Sequence, residues 1–280
     1  MTLMSALGYG KNELKEAGVP DFGLDAWYLL EYACEIDRSY YYLHCQEEME
    51  EGYFHTYQQL LKKRKEHIPL QYITGTQKFM GLDFKVNPHV LIPRQDTETL
   101  VEEALKIIEP EMSVLDLCTG SGCIIISLMK CAKAPIRGTA SDISKQALLV
   151  AKENAKAHQA DITFLRSDLF WQVTGAFGLI ISNPPYIPSD IIPTLMPEVK
   201  DYEPIEALDG REAGLYFYRE IARQAPAFLA PNGYLYFEIG YDQGARVASL
   251  MEENGFRNVR VIKDLAGNDR VVCGNLLAAR

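Results

Sequence analysis

The second half of the chain alternates short apolar runs with longer amphipathic stretches. The apolar runs predict buried strands, and they occupy residues 114–117, 136–140, 162–165, 179–181 and 234–237. Helical patterns fall between most of these runs, notably over residues 144–158, 214–229 and 243–253. Such alternation predicts a mostly parallel α/β sheet with helices on both faces. Two last runs, 259–262 and 270–273, have no helix between them, so we expect them to complete a seven-stranded sheet as an antiparallel pair.

The first 66 residues predict helices rather than strands. One helix is expected over residues 25–34, with Asp25 as its N-terminal cap. Another covers residues 53–65, and its apolar face carries Tyr53, Tyr57, Leu60 and Leu61. Its basic end, Lys62 to Lys65, suits the negative end of a helix dipole. We expect this end to be solvated rather than to contact RNA or an acidic partner.

An aromatic stretch, Tyr40 to Tyr42 followed by Leu43, lies between these two helices. It could belong to the core or to a contact surface. Because large apolar side chains are usually buried, we expect it to pack into the core.

Turn-forming residues break up residues 69–93. Gly75, Gly81 and Pro93 punctuate short segments, and Phe84 to Val86 alternates apolar with polar positions, which predicts a β-hairpin linker. The expected domains are a helical substrate-recognition domain over 1–68, the linker over 69–93 and the sheet domain over 94–280.

A helix is expected directly after this linker. Asp96 or Thr97 is available to cap it. Its apolar face would contain Leu100, Val101, Ala104, Leu105 and Ile108.

Composition narrows the classes of function. The formal net charge is −10, which argues against a protein that binds DNA or RNA by neutralising phosphates. We see no secretory leader and no apolar run of about 18 residues, so we expect a cytoplasmic protein that does not bind membranes. We also expect a monomer. The six cysteines form no Cys-x-x-Cys pair and the five histidines are isolated, so we expect no metal site.

A glycine-rich loop follows the first strand of the sheet domain. It runs from Asp116 to Cys123 and opens a helix predicted over residues 124–131. Glycines there let a ligand approach the backbone, and the helix start offers unpaired N–H donors. The loop lacks the Lys-Ser/Thr ending of a phosphate-binding Walker loop and the full dinucleotide fingerprint.

Acidic residues end the next two strands. Asp142, which lies 20 residues beyond Gly122, could accept hydrogen bonds from ribose hydroxyls, or it could cap the helix that begins near Ser144. Asp168 could accept from an adenine amino group or serve as a turn residue, with Leu169 or Phe170 beside the ring. Together with Asp116, these carboxylates favour a positively charged adenosine ligand such as S-adenosylmethionine over a phosphate-rich one.

A rigid polar turn, Asn183-Pro184-Pro185-Tyr186, follows the strand over 177–181. Each proline fixes its own φ and pushes its predecessor into an extended conformation. Asn-Pro also occurs in ordinary turns, so the turn alone does not assign a function. At a strand end that faces a methyl donor, the Asn183 side-chain oxygen and the Pro184 carbonyl could accept the two N–H groups of an amide, and Tyr186 could stack on its plane.

The loop, the acidic strand ends and this turn resemble the class I methyltransferases that modify amide or exocyclic amine nitrogens. Residues 69–75, 91–98 and 237–243 resemble one branch, the bacterial family that methylates the glutamine of the Gly-Gly-Gln motif in peptide chain release factors. The resemblance runs from about Leu14 to the C-terminus. One departure is Cys118, where the family commonly has glycine.

The resemblance implies a Rossmann-like class I methyltransferase fold and a transfer from S-adenosylmethionine, with S-adenosylhomocysteine as product, to release-factor glutamine N5. Asn183, Pro184, Pro185 and Tyr186 would be the catalytic residues. The cofactor would contact Asp116, Cys118, Thr119, Gly120, Ser121, Gly122, Asp142, Ile143, Asp168, Leu169 and Asn183. The alternatives are a ribosomal-protein glutamine methyltransferase, an adenine-N6 nucleic-acid methyltransferase and a non-catalytic binding module that keeps the fold.

Overall fold

Helices make up most of the first part of the chain, as predicted. In the computed structural model, which describes residues 1–277, they are α1 (Leu3–Glu16), α2 (Phe22–Cys34), α3 (Arg38–His44), α4 (Glu51–Lys65) and α5 (Leu70–Thr74). The chain divides into two compact units. The first contains Met1–Thr76 and Met196–Tyr202, and the second contains Gln77–Leu195 and the chain from Glu203 onward. The domains expected over 1–68, 69–93 and 94–280 stay a prediction.

Three helices of the first unit pack around Tyr57. Its ring is fully buried, and its hydroxyl donates to the Ala26 carbonyl of α2 at 3.0 Å. On α1, a Cβ added to Gly10 would lie 1.8 Å from the same hydroxyl, so only glycine allows this approach. The apolar residues predicted for α4 are buried at Tyr57, Leu60 and Leu61, whereas Tyr53 is exposed.

Two local predictions for this unit are wrong because of one buried arginine. Helix α2 begins at Phe22, so Asp25 lies in its first turn and caps nothing. The Asp25 carboxylate instead accepts from Arg64 Nε at 2.6 Å, and Arg64 also pairs with Glu198 of the 196–202 segment. Arg64 is only 4% exposed, so the basic end of α4 is not wholly solvated.

The aromatic stretch on α3 is mostly exposed, contrary to expectation. Tyr42 and Leu43 are 73% and 82% exposed, and Tyr40 stacks on the His44 ring at the surface. Only Tyr41 packs inward, edge-on against Trp27 at 5.1 Å. The stretch is therefore largely surface.

The second unit contains the predicted hairpin and the predicted seven-stranded sheet. The hairpin is β1 (Thr76–Phe79) and β2 (Leu82–Lys85). The sheet has the order β5-β4-β3-β6-β7-β9-β8, with β9 antiparallel to both neighbours and the remaining pairs parallel. Its strands are β3 (Ser113–Leu117), β4 (Arg137–Asp142), β5 (Ile162–Arg166), β6 (Phe177–Ser182), β7 (Leu229–Glu238), β8 (Arg257–Lys263) and β9 (Asp269–Asn275).

Helices follow most of these strands. They are α6 (Glu98–Leu105), α7 (Cys123–Cys131), α8 (Lys145–Ala157), α10 (Ile205–Leu208), α11 (Tyr216–Gln224) and α12 (Gly244–Glu253), with the short α9 (Pro197–Lys200) in the first unit. Helix α11 ends before Pro226, which has no N–H to continue it, so the helix predicted over 214–229 is too long. Helix α6 ends before Ile108, and neither Asp96 nor Thr97 provides it with a side-chain cap.

Alternate residues of the central strands supply two cores, one on each face of the sheet. On β6, Leu179 and Ile181 belong to one core, whereas Ile180 belongs to the other. This arrangement explains why the strand is a continuous apolar run, since both of its faces are covered. Among residues 1–277, no helix is long and apolar enough to cross a membrane.

The order of the strands creates a crevice beside β3. The chain moves outward from β3 to β4 and β5, then returns to the other side of β3 with β6. In open α/β sheets, ligands bind at the carboxyl ends of strands at such a switch point. Leu117 pairs with Ser182 in register, so the loops that follow β3 and β6 leave the sheet side by side.

We predict that Arg64→Ala lowers the free energy of unfolding by about 3–5 kcal/mol, because it leaves the Asp25 carboxylate buried without its partner. The matched control is Lys65→Ala on the same helix, whose ion pair with Glu13 is partly exposed and whose loss should change stability by less than about 1 kcal/mol. Urea unfolding followed through fluorescence of the buried Trp27 would measure both. Equal effects of the two substitutions would contradict the prediction.

Candidate active site

A cavity of about 340 Å³ lies at the carboxyl ends of β3, β4, β5 and β6. Ten of the residues predicted from the sequence line it, namely Cys118, Thr119, Gly120, Ser121, Asp142, Ile143, Asp168, Leu169, Asn183 and Pro185. Four predicted residues, Asp116, Gly122, Pro184 and Tyr186, do not line it and support its walls. The sheet thus brings four distant parts of the sequence to one place.

The loop after β3 has a glycine-like backbone. Gly120 and Gly122 have φ of +54° and +80°, and Cys118 has φ of +60°. Cys118 therefore occupies the left-handed region that favours glycine, so this position is strained in the present chain. The start of α7 packs so closely against the loop that a Cβ on Gly122 would lie 3.1 Å from Ile126 Cδ1, and glycine avoids this contact.

Hydrogen bonds within the second unit fix this loop. The Thr119 N–H donates to the Ser141 carbonyl at 3.0 Å. From α8, the buried Asn154 amide donates to the Ser121 carbonyl at 2.9 Å and to the Lys85 carbonyl of β2 at 3.1 Å. Asn154 therefore ties the hairpin and the loop to one helix.

Asp116 lies beneath the loop rather than in the cavity wall. It is fully buried, and its Oδ2 accepts from the Thr119 hydroxyl at 2.6 Å. Burial raises the pKa of the Asp116 carboxyl to about 7. Its contact with Thr119 gives it a role in shaping the loop.

Asp142 lines the cavity and also holds the backbone around it. Its Oδ2 accepts from the Gly120 N–H at 2.9 Å, and its Oδ1 accepts from the Ser144 N–H at 2.8 Å. Each oxygen keeps a further lone pair for a ligand. Burial raises the pKa of Asp142, while these N–H bonds lower it. Ser144, not Asp142, caps α8, because its hydroxyl accepts from the Ala147 N–H at 3.2 Å.

The loop after β5 contributes one carboxylate and one apolar side chain. Asp168 is exposed and lines the cavity together with Leu169. Phe170, the other residue considered for the ring-flanking role, is buried in the core and stacks on Phe228 with ring centroids 4.6 Å apart. Of the two, Leu169 is the residue in reach of a ligand.

Asn183 is the first residue after β6, and its side chain is held from behind. Its Nδ2 donates to the Thr97 hydroxyl at 3.4 Å. The strand end before it is fixed by Ser182, whose hydroxyl donates to the Leu117 carbonyl at 2.7 Å. The Asn183 carboxamide therefore lies in the cavity wall with one end already engaged.

The rest of the turn is fixed by residues to which the sequence analysis assigned no role in the site. The buried Gln243 donates through Nε2 to the Tyr186 carbonyl at 3.0 Å. A Cβ on Gly210 would lie 2.6 Å from Tyr186 Cα, and one on Gly214 would lie 2.1 Å from the Tyr186 carbonyl oxygen, so both glycines allow backbone to pack directly on the turn. Burial raises the pKa of the Tyr186 hydroxyl, which stays protonated.

Several further residues complete the site. Arg94 and Thr97 line the cavity, and Arg94 pairs with Glu203, whose pKa burial raises. Arg94 and Thr97, like Gln243, lie in the segments on which the sequence resemblance rests. Another part of the wall comes from residues 204–207, Asp209, Arg211 and Phe217, for which the sequence pattern gave no signal.

Comparisons with known families cover most of the chain. The family model described as the PrmC N-terminal domain matches residues 5–75, and the one described as the Methyltransferase small domain matches residues 95–191. Among solved structures, a methyltransferase from Pyrococcus furiosus is 17% identical with a TM-score of 0.53 and covers 71% of this chain and 90% of its own. This likeness shows the class I methyltransferase fold.

Closer relatives align over nearly their whole length. The release factor glutamine methyltransferase of Geobacter sulfurreducens is 40% identical over 277 residues, which is 98% of this chain and 97% of that protein. The protein of the same name from Clostridium botulinum is 41% identical over 97% of this chain and 98% of its own. A solved structure titled protein-(glutamine-N5) methyltransferase (release factor-specific), from Alicyclobacillus acidocaldarius, is 33% identical, covers 70% of this chain and 100% of its own, and has a TM-score of 0.41. On the sequence matches, the chain belongs to the release factor glutamine methyltransferase family.

Proposed function

We propose that this protein transfers a methyl group from S-adenosylmethionine to the side-chain N5 of the glutamine in the Gly-Gly-Gln motif of peptide chain release factors. S-adenosylhomocysteine is the second product. The observation that carries the proposal is the single cavity shared by the glycine-rich loop and Asn183. Membership of the family supports the choice of a protein glutamine as substrate.

The residues of the cavity fit the cofactor. Asp142 has free lone pairs for two ribose hydroxyls, and Asp168 can accept from an adenine amino group. Ile143 and Leu169 offer apolar contact to the adenine ring, and the space around the Gly120 Cα is open, so a ligand can approach the backbone. The volume lies within the range of small-molecule sites. When bound, the cofactor supplies a methyl group on a cationic sulfonium. The carboxylates of the site attract this positive charge, whereas they would repel the phosphates of a phosphate-rich ligand.

The chemistry requires orientation of the substrate more than activation by a base. The nitrogen of a glutamine amide is a poor nucleophile because its lone pair is delocalised into the carbonyl. In our proposal the Asn183 side-chain oxygen and the Pro184 carbonyl each accept one amide N–H, which aims the face of the nitrogen at the methyl group. Pro184 and Pro185 hold these acceptors in place, so little ordering is needed on binding. Pro184 and Tyr186 do not line the cavity, so the Pro184 acceptor and the stacking of Tyr186 on the amide plane stay predictions.

The bond changes balance without a further reactant. The nitrogen lone pair forms the new N–C bond while the C–S bond breaks and leaves its electron pair on sulfur. The nitrogen then releases one proton to bulk water. Because that proton becomes acidic only as the N–C bond forms, the site needs no strong general base.

Two other substrates could use the same turn. An adenine amino group or a ribosomal-protein glutamine offers the same pair of N–H donors. The net charge of −10 disfavours a nucleic acid, and the names of the full-length relatives favour the release factor. We also propose that the protein acts as a cytoplasmic monomer.

We predict that the protein transfers label from methyl-labelled S-adenosylmethionine to a release factor and not to the same factor with Gln→Ala in its Gly-Gly-Gln motif. Ribosomal protein and DNA serve as competing substrates in parallel reactions. Scintillation counting and mass spectrometry of the tryptic peptide would locate the label. Label in DNA, or equal label in the Gln→Ala factor, would contradict the proposal.

Asn183→Ala is expected to lower kcat by about a hundredfold or more, because one of the two fixed acceptors for the substrate amide is lost. Cofactor affinity, measured by calorimetry, should change little. The matched control is Asn12→Ala, which removes an exposed asparagine of α1. Turnover by Asn183→Ala at the wild-type rate would remove Asn183 from the mechanism.

Asp142→Ala is expected to weaken cofactor binding by roughly 10- to 100-fold, because hydrogen bonds to a charged acceptor are lost and the Gly120 N–H is released. Calorimetric titration with S-adenosylhomocysteine would measure the change. Asp161→Ala, at an exposed position before β5, is the control. Unchanged affinity in Asp142→Ala would show that this carboxylate does not hold the cofactor.

A further inference from the structure

A chain of buried polar side chains lies behind Asn183. Its members are Thr97, in the turn before α6, and Glu238, the last residue of β7. They are only 2% and 1% exposed. The Thr97 hydroxyl accepts from Asn183 Nδ2 at 3.4 Å, and it also interacts with the Glu238 carboxyl, whose pKa it lowers.

The chemistry of these groups fixes the direction of each hydrogen bond. A hydroxyl has one proton to donate, and an ionised carboxylate can only accept. When Glu238 is ionised, Thr97 gives its proton to that carboxylate and turns a lone pair toward Asn183. Only the NH2 end of the Asn183 carboxamide can donate to that lone pair, so the oxygen end is directed away from Thr97.

We propose that Thr97 and Glu238 are positioning residues that fix the orientation of the Asn183 carboxamide, so that its oxygen accepts an N–H of the glutamine amide. The inference rests on the proposed function and deepens it. Neither residue touches the reacting atoms. Without them, the two ends of the carboxamide would be interchangeable, and half of the orientations would present an N–H donor to the substrate N–H.

In the described part of the chain, the nearby ion pairs do not include Glu238, so its carboxyl interacts with Thr97 instead of with a paired cation. Arg270 of β9 is a buried cation whose charge acts on Glu238, but its guanidinium binds Asp264 at 3.1 Å and Asp96 at 3.0 Å. Within residues 1–277, Glu238 Oε2 has no hydrogen-bond partner. Thr97 is therefore the side chain that ties the Glu238 carboxyl to Asn183.

The protonation of Glu238 controls this relay. Its pKa is raised to about 7 by burial, and the bond from Thr97 and the charge of Arg270 moderate that rise. The other charged or titratable groups that face it are Asp96, Arg94, Tyr186, Tyr218 and Cys123. When Glu238 is protonated, it can donate to Thr97, which then donates to Asn183 and reverses the carboxamide. Activity should therefore be present above the pKa of Glu238 and fall as the pH drops through about 7.

The test compares Thr97→Val, which keeps the shape and removes the hydroxyl, with Thr97→Ser, which keeps the hydroxyl. We expect Thr97→Val to lower kcat at least tenfold with KM for the cofactor unchanged, and Thr97→Ser to keep kcat within about threefold. Thr163→Val, at an exposed position on β5, is the control for the substitution itself. Calorimetry with S-adenosylhomocysteine checks that each variant binds the cofactor as the wild type does.

A pH profile separates the relay from a merely structural role. Wild type should lose kcat below about pH 7, and Glu238→Gln, which cannot ionise, should lack that acid limb. Wild-type kcat in Thr97→Val, failure of Thr97→Ser to restore it, or an unchanged acid limb in Glu238→Gln would each overturn the inference. Failure of the wild-type protein to methylate a release factor would instead overturn the proposed function.

Discussion

The pairing of β3 with β6 is the constraint on which the site depends. These strands are far apart in the sequence, yet Leu117 and Ser182 are in register and are joined by the Ser182 hydroxyl. The loop that follows β3 can hold a cofactor, and the turn that follows β6 can hold an amide. A slip of one residue in this pairing would turn every side chain of β6 to the opposite face and separate the two functions.

Much of this arrangement can be predicted from the sequence, because buried strands are apolar runs and their polar ends are visible. Long-range partners are not. Asp25 stands where the sequence pattern predicts a helix cap, but its carboxylate is buried in an ion pair with Arg64, 39 residues away. Asp116 has the sequence of a strand-end ligand, but it is fully buried below the loop. Residues 204–207, Asp209 and Arg211 line the cavity through the fold alone, with no periodicity in the sequence to reveal them.

Burial, rather than ion pairing, sets the charge of the site. It raises the pKa of Asp116 and of Glu238 to about 7, so near neutral pH neither carboxyl is fully ionised. The thiol of Cys118 also has its pKa raised by burial and by the neighbouring Asp142, so it stays protonated. Asp142 and Asp168 line the cavity, so the proposed preference for a cationic ligand rests on them more than on Asp116 or Glu238.

The 196–202 segment gives the helical unit an unusual order of assembly. Glu198 pairs with Arg64, and the Tyr202 hydroxyl donates to the Glu66 carbonyl at 2.6 Å. The helical unit therefore includes a segment that lies more than 100 residues later in the chain than α1 to α5. During synthesis on the ribosome, α1 to α5 emerge long before this segment does. Until then Arg64 has only Asp25 as its carboxylate partner, so the first unit cannot be completed until residues 196–202 have been translated.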